Sequence, residues 1–342
     1  VLFRSIALSA GDRLAWHRPP WIEDAVPADW DVVFDDGDLL VIDKPSGLPV
    51  LPAGGWLEHT VLRLLEHRHR ADPSGVPRPV HRLGRFTSGL LVCARRPPTR
   101  AWLSAALRES TTACALEAAV WEASAQASSL PRLLSCLPST AAGAASDGPS
   151  PMAPASATVT PPANVSEVVG DEASAAEAAA QGSEGTGSAG ADPPGRCRKL
   201  YRALLQPGAL PIGAGETLTI RTPIGRRPHP LLGAIWCAAD GAQASDLPAC
   251  SHVTLLQRSE AADLVAVAIA TGRPHQIRIH CAAAGAPLLG DLLYRAGGLA
   301  VAEALPGDGG YRLQAWRLEM ERPEGGLLVL EAPRPLTLPT EG

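Results

Sequence analysis

The sequence predicts an α+β domain split by a long low-complexity insert, and three observations carry that prediction. Short apolar, strand-like runs alternate with an amphipathic helix and frequent Gly and Pro turn signals, a mixture that a helical bundle lacks. The chain has 342 residues, room for one large domain or two small ones, and its 46% apolar against 19% charged residues suit a globular core. Yet only 4% are aromatic, with 33 Gly and 33 Pro, which points to a part that does not pack. No run of 18 apolar residues occurs, so no membrane span is expected.

Taken in order, residues 1–29, which include GDRLAWHRPPW, read as the tail of a truncated N-terminal module. The first part of the domain then runs over 30–122. Trp30 to Asp43 reads as two short strands around an acidic turn at Asp35 to Asp38, and Pro45 and Gly47 break the run. Thr60 to Arg70 predicts a helix: Val61, Leu62, Leu64 and Leu65 recur at helical spacing, Thr60 suits an N-cap, and basic residues fill the last turn. Val80 to Leu83 and Gly89 to Ala94 read as strands separated by a polar loop, GRFTS. Residues 123–195 read as a disordered insert, because their Ala, Ser, Gly and Pro tracts hold too few large apolar side chains to offset ordering entropy. Deleting Ser139 to Gly195 is expected to leave the fold intact. The second part, 196–335, opens with a strand at Lys199 to Leu205 and continues with another at Asp263 to Ala270. A helix follows in RPHQIRIHCAAAG, with Pro274 fitting its first turn and Gly285 the position just past its end.

Charge is unevenly spread. The formal net charge is -5, but from Leu133 to Gly195 there are seven acids and no Lys or Arg, which leaves the rest of the chain at about +2. Arg63 to Arg108 holds ten arginines against Glu66 and Asp72, a patch that suits a polyanion. Arg85, Arg95 and Arg96 read as solvated, phosphate-side charges. The seven cysteines are scattered without a C-x-x-C pair, which argues against a disulfide framework and a zinc site and suits a thiol-tolerant intracellular compartment. His275 and His280 are five apart, on opposite faces of a strand and about 140° apart on a helix, so no metal is expected from them.

Three segments carry chemistry: HRLGRFTSGLLVCA (His81 to Ala94), RKLYRALL (Arg198 to Leu205) and TGRPHQIRIHCAAAGAPLLGDLLY (Thr271 to Tyr294). Together they resemble the RluA-like family of RNA pseudouridine synthases, whose signature reads H-R-L-D-x-x-T-S-G-L, K-x-Y-x-A, G-R-x-H-Q-I-R-x-H and G-D-x-x-Y. VIDKPSGLPVLPAGG (Val41 to Gly55) resembles the family's opening strand and loop, and TPIG (Thr222 to Gly225) fits as well. The resemblance implies a mainly antiparallel mixed sheet flanked by helices, an RNA partner from the transfer or ribosomal class, and isomerisation of uridine by base flipping and C-glycoside formation. Atoms are conserved in that reaction, so no cofactor is implied.

By the same resemblance, Arg82 is the gap-filling arginine, Tyr201 the base-stacking tyrosine, and Arg278 the arginine that pairs with the catalytic aspartate. A planar guanidinium can stack where the base stood, and base stacking is worth about 1–3 kcal/mol. His81, Arg85, Lys199, Arg273, His275 and Gln276 are the candidate RNA contacts. Gly84 stands where the family has its catalytic Asp, and in this the chain is similar to a plant and algal branch that reads H-R-L-G. No Asp or Glu lies between Pro73 and Leu107. Three readings stay open: another carboxylate reaches in, with Asp291, Asp43 and Glu58 as candidates; the chemistry is altered; or the protein binds RNA without turnover, as a pseudoenzyme or chaperone. Taken alone, Gly84 reads as a loop position that needs positive φ, and Tyr201 as a half-buried strand residue. Without its aspartate, Arg278 is expected to stand unneutralised in the cleft, whereas pairing with another carboxylate would point to a replacement acid.

Overall fold

The acidic turn separates two antiparallel strands, β1 (Asp31–Asp35) and β2 (Leu39–Lys44), in the computed structural model, which describes residues 22–53, 55–107, 197–269, 271–323 and 325–339. The Asp36 carboxylate accepts the backbone N–H groups of Asp38 and Leu39, the local bond that makes Asp a turn residue. The first 21 residues and the predicted insert, with the Ser139 to Gly195 deletion, lie outside the described residues.

Helix α1 (Val61–Arg68) starts where expected: the Thr60 hydroxyl accepts from Arg63 N–H at 3.4 Å, and Val61 and Leu65 are buried. Strand β3 (Arg78–Pro79) is only two residues long, and β4 spans Thr87–Ala94. The strand expected at Val80 to Leu83 is not formed. Val80 N–H still bonds Val92 O, but the next ladder donor, Val92 N–H, is taken by the His81 ring at 3.1 Å, so the backbone peels away into a loop. A helix α2 begins at 97 and is described through 107.

After the insert come β5 (Cys197–Leu205), β6 (Thr217–Ile220), β7 (Ile224–His229), β8 (Gly233–Ala238), β9 (Ser251–Arg258) and β10 (Asp263–Ile269). Helix α3 (Gln276–Ala283), β11 (Leu313–Glu321) and β12 (Leu327–Glu331) complete the fold. Gly285 lies just past α3 with φ 87°, as expected, whereas Pro274 precedes the N-cap, His275, instead of standing in the first turn. The main sheet runs β1-β2-β4-β11-β5-β10-β9-β6, with β3 and β12 on its flanks, and β7-β8 forms a separate ribbon. All of its pairings are antiparallel except β4 with β11, so the sheet is mixed and mainly antiparallel, flanked by helices.

Both faces of β2 and β4 are covered, which is why their sequences read as unbroken apolar runs. On one face Leu40, Ile42, Leu91 and Cys93 pack with Val61 and Leu65 of α1; on the other Leu39, Val41, Leu90 and Val92 pack with Leu103 and Leu107 of α2. The described cysteines, Cys93, Cys197, Cys237, Cys250 and Cys281, are buried thiols.

The parallel pair brings two segments distant in sequence together. Leu313, Gln314 and Ala315 of β11 lie opposite Thr87, Ser88 and Gly89 of β4. Parallel strands enter the sheet from the same edge, so the residues leading into them, Gly84 to Phe86 and Gly310 to Arg312, come side by side. Gly89 permits this approach: its φ is 97°, and a Cβ there would overlap the Ala315 backbone.

Candidate active site

The loop before β4 is pinned from below. The fully buried Lys44 ammonium donates to the carbonyls of Pro45 (2.9 Å), Leu48 (2.7 Å) and Arg85 (3.0 Å), and so ties the K-P-S-G loop to the H-R-L-G-R loop. Burial pulls its pKa down to about 7. Gly47 N–H bonds Arg85 O, and Arg85 Nε returns a bond to Gly47 O at 3.1 Å. The Arg85 guanidinium lies 4.0 Å over the Trp56 ring and 4.9 Å from that of Phe86, half-buried instead of solvated. Arg82, next to the buried Leu83, is exposed.

His81 turns inward. Its Nε2 accepts from Val92 N–H, and burial, with Lys199 nearby, lowers its pKa to about 3, so the ring is neutral. Lys199 on β5 is likewise desolvated, which lowers its pKa. Tyr201, two residues on, faces the apolar cluster that also holds Leu83, Tyr311, Leu313 and Ala315; burial pushes its phenol up to about 12.

Arg278, on α3, is paired, which overturns the expectation of an unneutralised guanidinium. Its Nε and Nη2 donate to the two oxygens of Asp291 at 2.7 and 2.8 Å, both side chains being buried. Burial works against the charge, but the bonds to Asp291 outweigh it and hold the Arg278 pKa above its ordinary value. Asp291 also accepts from Leu293 and Tyr294 N–H, so it is a structural acid whose oxygens are committed. The other two candidate carboxylates lie elsewhere. Asp43 shares the opposite face of β2 with Leu39 and Val41, 4.0 Å from Arg334, and Glu58 is an exposed loop residue within 3.8 Å of His67.

Gly84 is not there for backbone conformation, because its φ is not positive, contrary to expectation. It is there for space. A Cβ built on Gly84 would overlap the hydroxyl of Tyr311, with Thr87 Oγ1 at 3.4 Å and Tyr311 Cζ at 3.6 Å. Tyr311 is held by Phe86 edge-on at 5.8 Å, by the Arg278 guanidinium 4.2 Å over its ring, and by the Thr87 hydroxyl 3.3 Å from its own.

The rest of the G-R-x-H-Q-I-R segment is built inward. His275 has φ 53°, the left-handed region, and is the sole non-glycine residue with positive φ among the described residues; its Nδ1–H donates to Tyr294 Oη at 2.8 Å. Tyr294 in turn donates to Trp236 O. The Gln276 amide accepts from Thr271 Oγ1 and Arg273 N–H and donates to Cys250 O and Ser251 Oγ, while Arg273 Nε donates to Pro248 O. The arginine patch is also less cationic than its sequence suggests. Arg95 is buried and bidentate on Asp35, a correction to its reading as a solvated charge, and Arg63, Arg68, Arg78 and Arg96 each pair with a carboxylate.

Arg82, Gly84, Arg85, Tyr201 and Arg278 thus gather around the shared edge of β4 and β11. Sequence reasoning missed Tyr311 and the clamp made by Lys44. One signal pointed to both: the chain has only three tyrosines (Tyr201, Tyr294, Tyr311) and two lysines (Lys44, Lys199), and all five lie in or against this site.

The profile of the RNA pseudouridylate synthase family matches residues 38–113. The chain is 33% identical over 313 residues to an uncharacterized RNA pseudouridine synthase of Synechocystis sp., a match covering 91% of this chain and 75% of that protein. It is 31% identical over 346 residues to RNA pseudouridine synthase 5 of Arabidopsis thaliana, covering 92% of this chain and 73% of that one. Among solved structures, human RNA pseudouridylate synthase domain containing 4 aligns with a TM-score of 0.49 at 15% identity, over 90% of this chain and 88% of that chain.

Proposed function

Given that the chain belongs to the RNA pseudouridine synthase family, we propose that it isomerises uridine to pseudouridine in transfer or ribosomal RNA at the cleft edge where β4 and β11 enter the sheet. One observation carries the assignment of that cleft: the parallel register brings the loop of Arg82, Gly84 and Arg85 against Tyr201, Tyr311 and Arg278.

Arg82, exposed on a loop that Lys44 holds rigid, enters the stack left by the flipped uridine. Tyr201 offers its ring to the base, and its desolvated phenol suits a stacking face. Arg278 places a buried, oriented positive charge behind the reacting sugar. Arg85, stacked on Trp56, meets the RNA backbone. The reaction moves one bond and one proton within the substrate, so it draws on no external oxidant or reductant.

The test is pseudouridine mapping of total RNA incubated with the wild type and with Arg82→Ala. New sites from the wild type that vanish in Arg82→Ala are the expected result. A silent wild type, under conditions where an aspartate-bearing relative is active, refutes the proposal. A second reading, an RNA-binding protein without turnover, is favoured by the absent side chain at Gly84; it expects salt-dependent RNA affinity with no new pseudouridine.

A further inference from the structure

We propose that Tyr311 is a catalytic residue whose phenol carries the proton that pseudouridine formation must move, in the place left open by Gly84; this rests on the synthase reading above. The glycine and the tyrosine are two halves of one arrangement. Gly84 has a φ that any residue can adopt, so its lack of a side chain answers to Tyr311, whose hydroxyl lies where the first atom of a side chain at position 84 would be. Gly84 is exposed while Tyr311 is buried, so the hydroxyl lies directly beneath the backbone of the loop, covered there by no side chain at position 84.

The neighbouring groups are otherwise committed. Asp291 is held by Arg278 and two backbone N–H groups, Tyr294 is bonded to His275 and Trp236, and Asp43 lies on the other face of the sheet. Arg278 above the Tyr311 ring is placed to offset negative charge as it develops on the phenol oxygen.

The step balances without any other reagent. As C1′–N1 breaks, its electron pair leaves with the uracil, and the Tyr311 proton passes to uracil O2. The ribose becomes an oxocarbenium ion facing the phenolate. The uracil turns, the C5=C6 π pair forms the C5–C1′ bond, and the phenolate removes the C5 proton, which restores the double bond. The proton on O2 settles on N1, and Tyr311 is again a phenol.

Release of tritium from total cellular RNA labelled at uridine C5 tests this, with RNA affinity and melting measured beside it. Tyr311→Phe is expected to lose at least about 100-fold in rate, with RNA affinity kept within about twofold. The double variant Gly84→Asp with Tyr311→Phe is expected to recover turnover, because the ring carbon left behind stands 3.6 Å from the new Cβ. Its pH profile then gains the acid limb of a carboxylate. Replacing all three tyrosines by 3-fluorotyrosine, which acidifies the phenol but keeps it, is expected to move the alkaline limb of the wild-type profile to lower pH. That readout stands even if Tyr311→Phe does not fold. An active wild type with an active Tyr311→Phe, or an unmoved alkaline limb, overturns the role of Tyr311 and leaves the synthase reading standing. A wild type that releases no tritium, where an aspartate-bearing relative does, overturns both.

Discussion

Replacing Asp291 by Asn tests the claim that the Arg278 pair is the structural support behind the cleft. Both side chains are buried, the guanidinium gives the carboxylate two bonds of 2.7 and 2.8 Å, and Leu293 and Tyr294 N–H add two more. Asn can still accept from the two backbone donors through its one remaining oxygen, so what is lost is the charge and one arm of the fork. That leaves Arg278 as a buried cation whose nearest neighbours are the faces of Tyr311 and Tyr294 and the Pro306 carbonyl. Removing one partner of a buried pair costs about 3–5 kcal/mol, mostly the penalty of the stranded charge. At roughly 2–4 °C per kcal/mol for a domain of this size, the melting temperature should fall by about 6–20 °C. Urea unfolding of wild type, Asp291→Asn, Arg278→Met and the double variant gives the cycle. Since the stranded charge dominates, the double variant should be more stable than Asp291→Asn alone. A loss below about 1 kcal/mol for Asp291→Asn, or a double variant no better than the sum of the singles, would refute the reasoning.

Three further outcomes follow from the same geometry. Gly84→Ala should cost about 1–3 kcal/mol by overpacking against the Tyr311 hydroxyl, and almost nothing in a Tyr311→Phe background; equal costs in the two backgrounds in denaturant titrations would show that the contact is not what excludes a side chain. His280 is fully buried, bonded to Ser251 and Thr222, and has its pKa lowered by burial to about 4, against 6.5 for an ordinary histidine. The unfolded chain therefore binds a proton that the fold does not between pH 6.5 and about 4. Stability is lost as pH falls through that window, by up to about 1.4 kcal/mol per unit, and His280→Gln should flatten the slope by about one proton in urea titrations. Gln276→Ala should cost at least about 2 kcal/mol, because it strands Thr271, Arg273, Cys250 and Ser251 partners, while RNA affinity holds; weakened binding with unchanged stability would instead mark Gln276 as an RNA contact.

Local chemistry made much of this protein readable from its sequence. The Asp35 to Asp38 turn, the Thr60 cap, the apolar runs of β2 and β4, and Gly285 past the end of α3 depend on neighbours a few residues away, and each stands where the spacing puts it. The motif-bearing residues Arg82, Gly84, Tyr201 and Arg278 stand out by side-chain type and order in the sequence, and the fold brings them to one region of the sheet. What failed depended on partners distant in sequence. Val80 to Leu83 is apolar enough for a strand, but the His81 ring takes the donor that would have continued the ladder. Arg95 counts as free charge until Asp35 is brought to it across the sheet, and Arg278 finds Asp291 rather than a residue of the H-R-L-G loop. Gly84 is the clearest case. Its missing side chain signals either an unusual backbone or an occupied space, and sequence alone does not separate the two. Only the parallel pairing of β4 with β11 does, by bringing Tyr311 across more than 220 positions of chain to the point where a carboxylate was sought. The sequence by itself determined which groups are available, since that is covalent. The tertiary structure decided which of them share a space, since register and burial depend on contacts that no local pattern encodes.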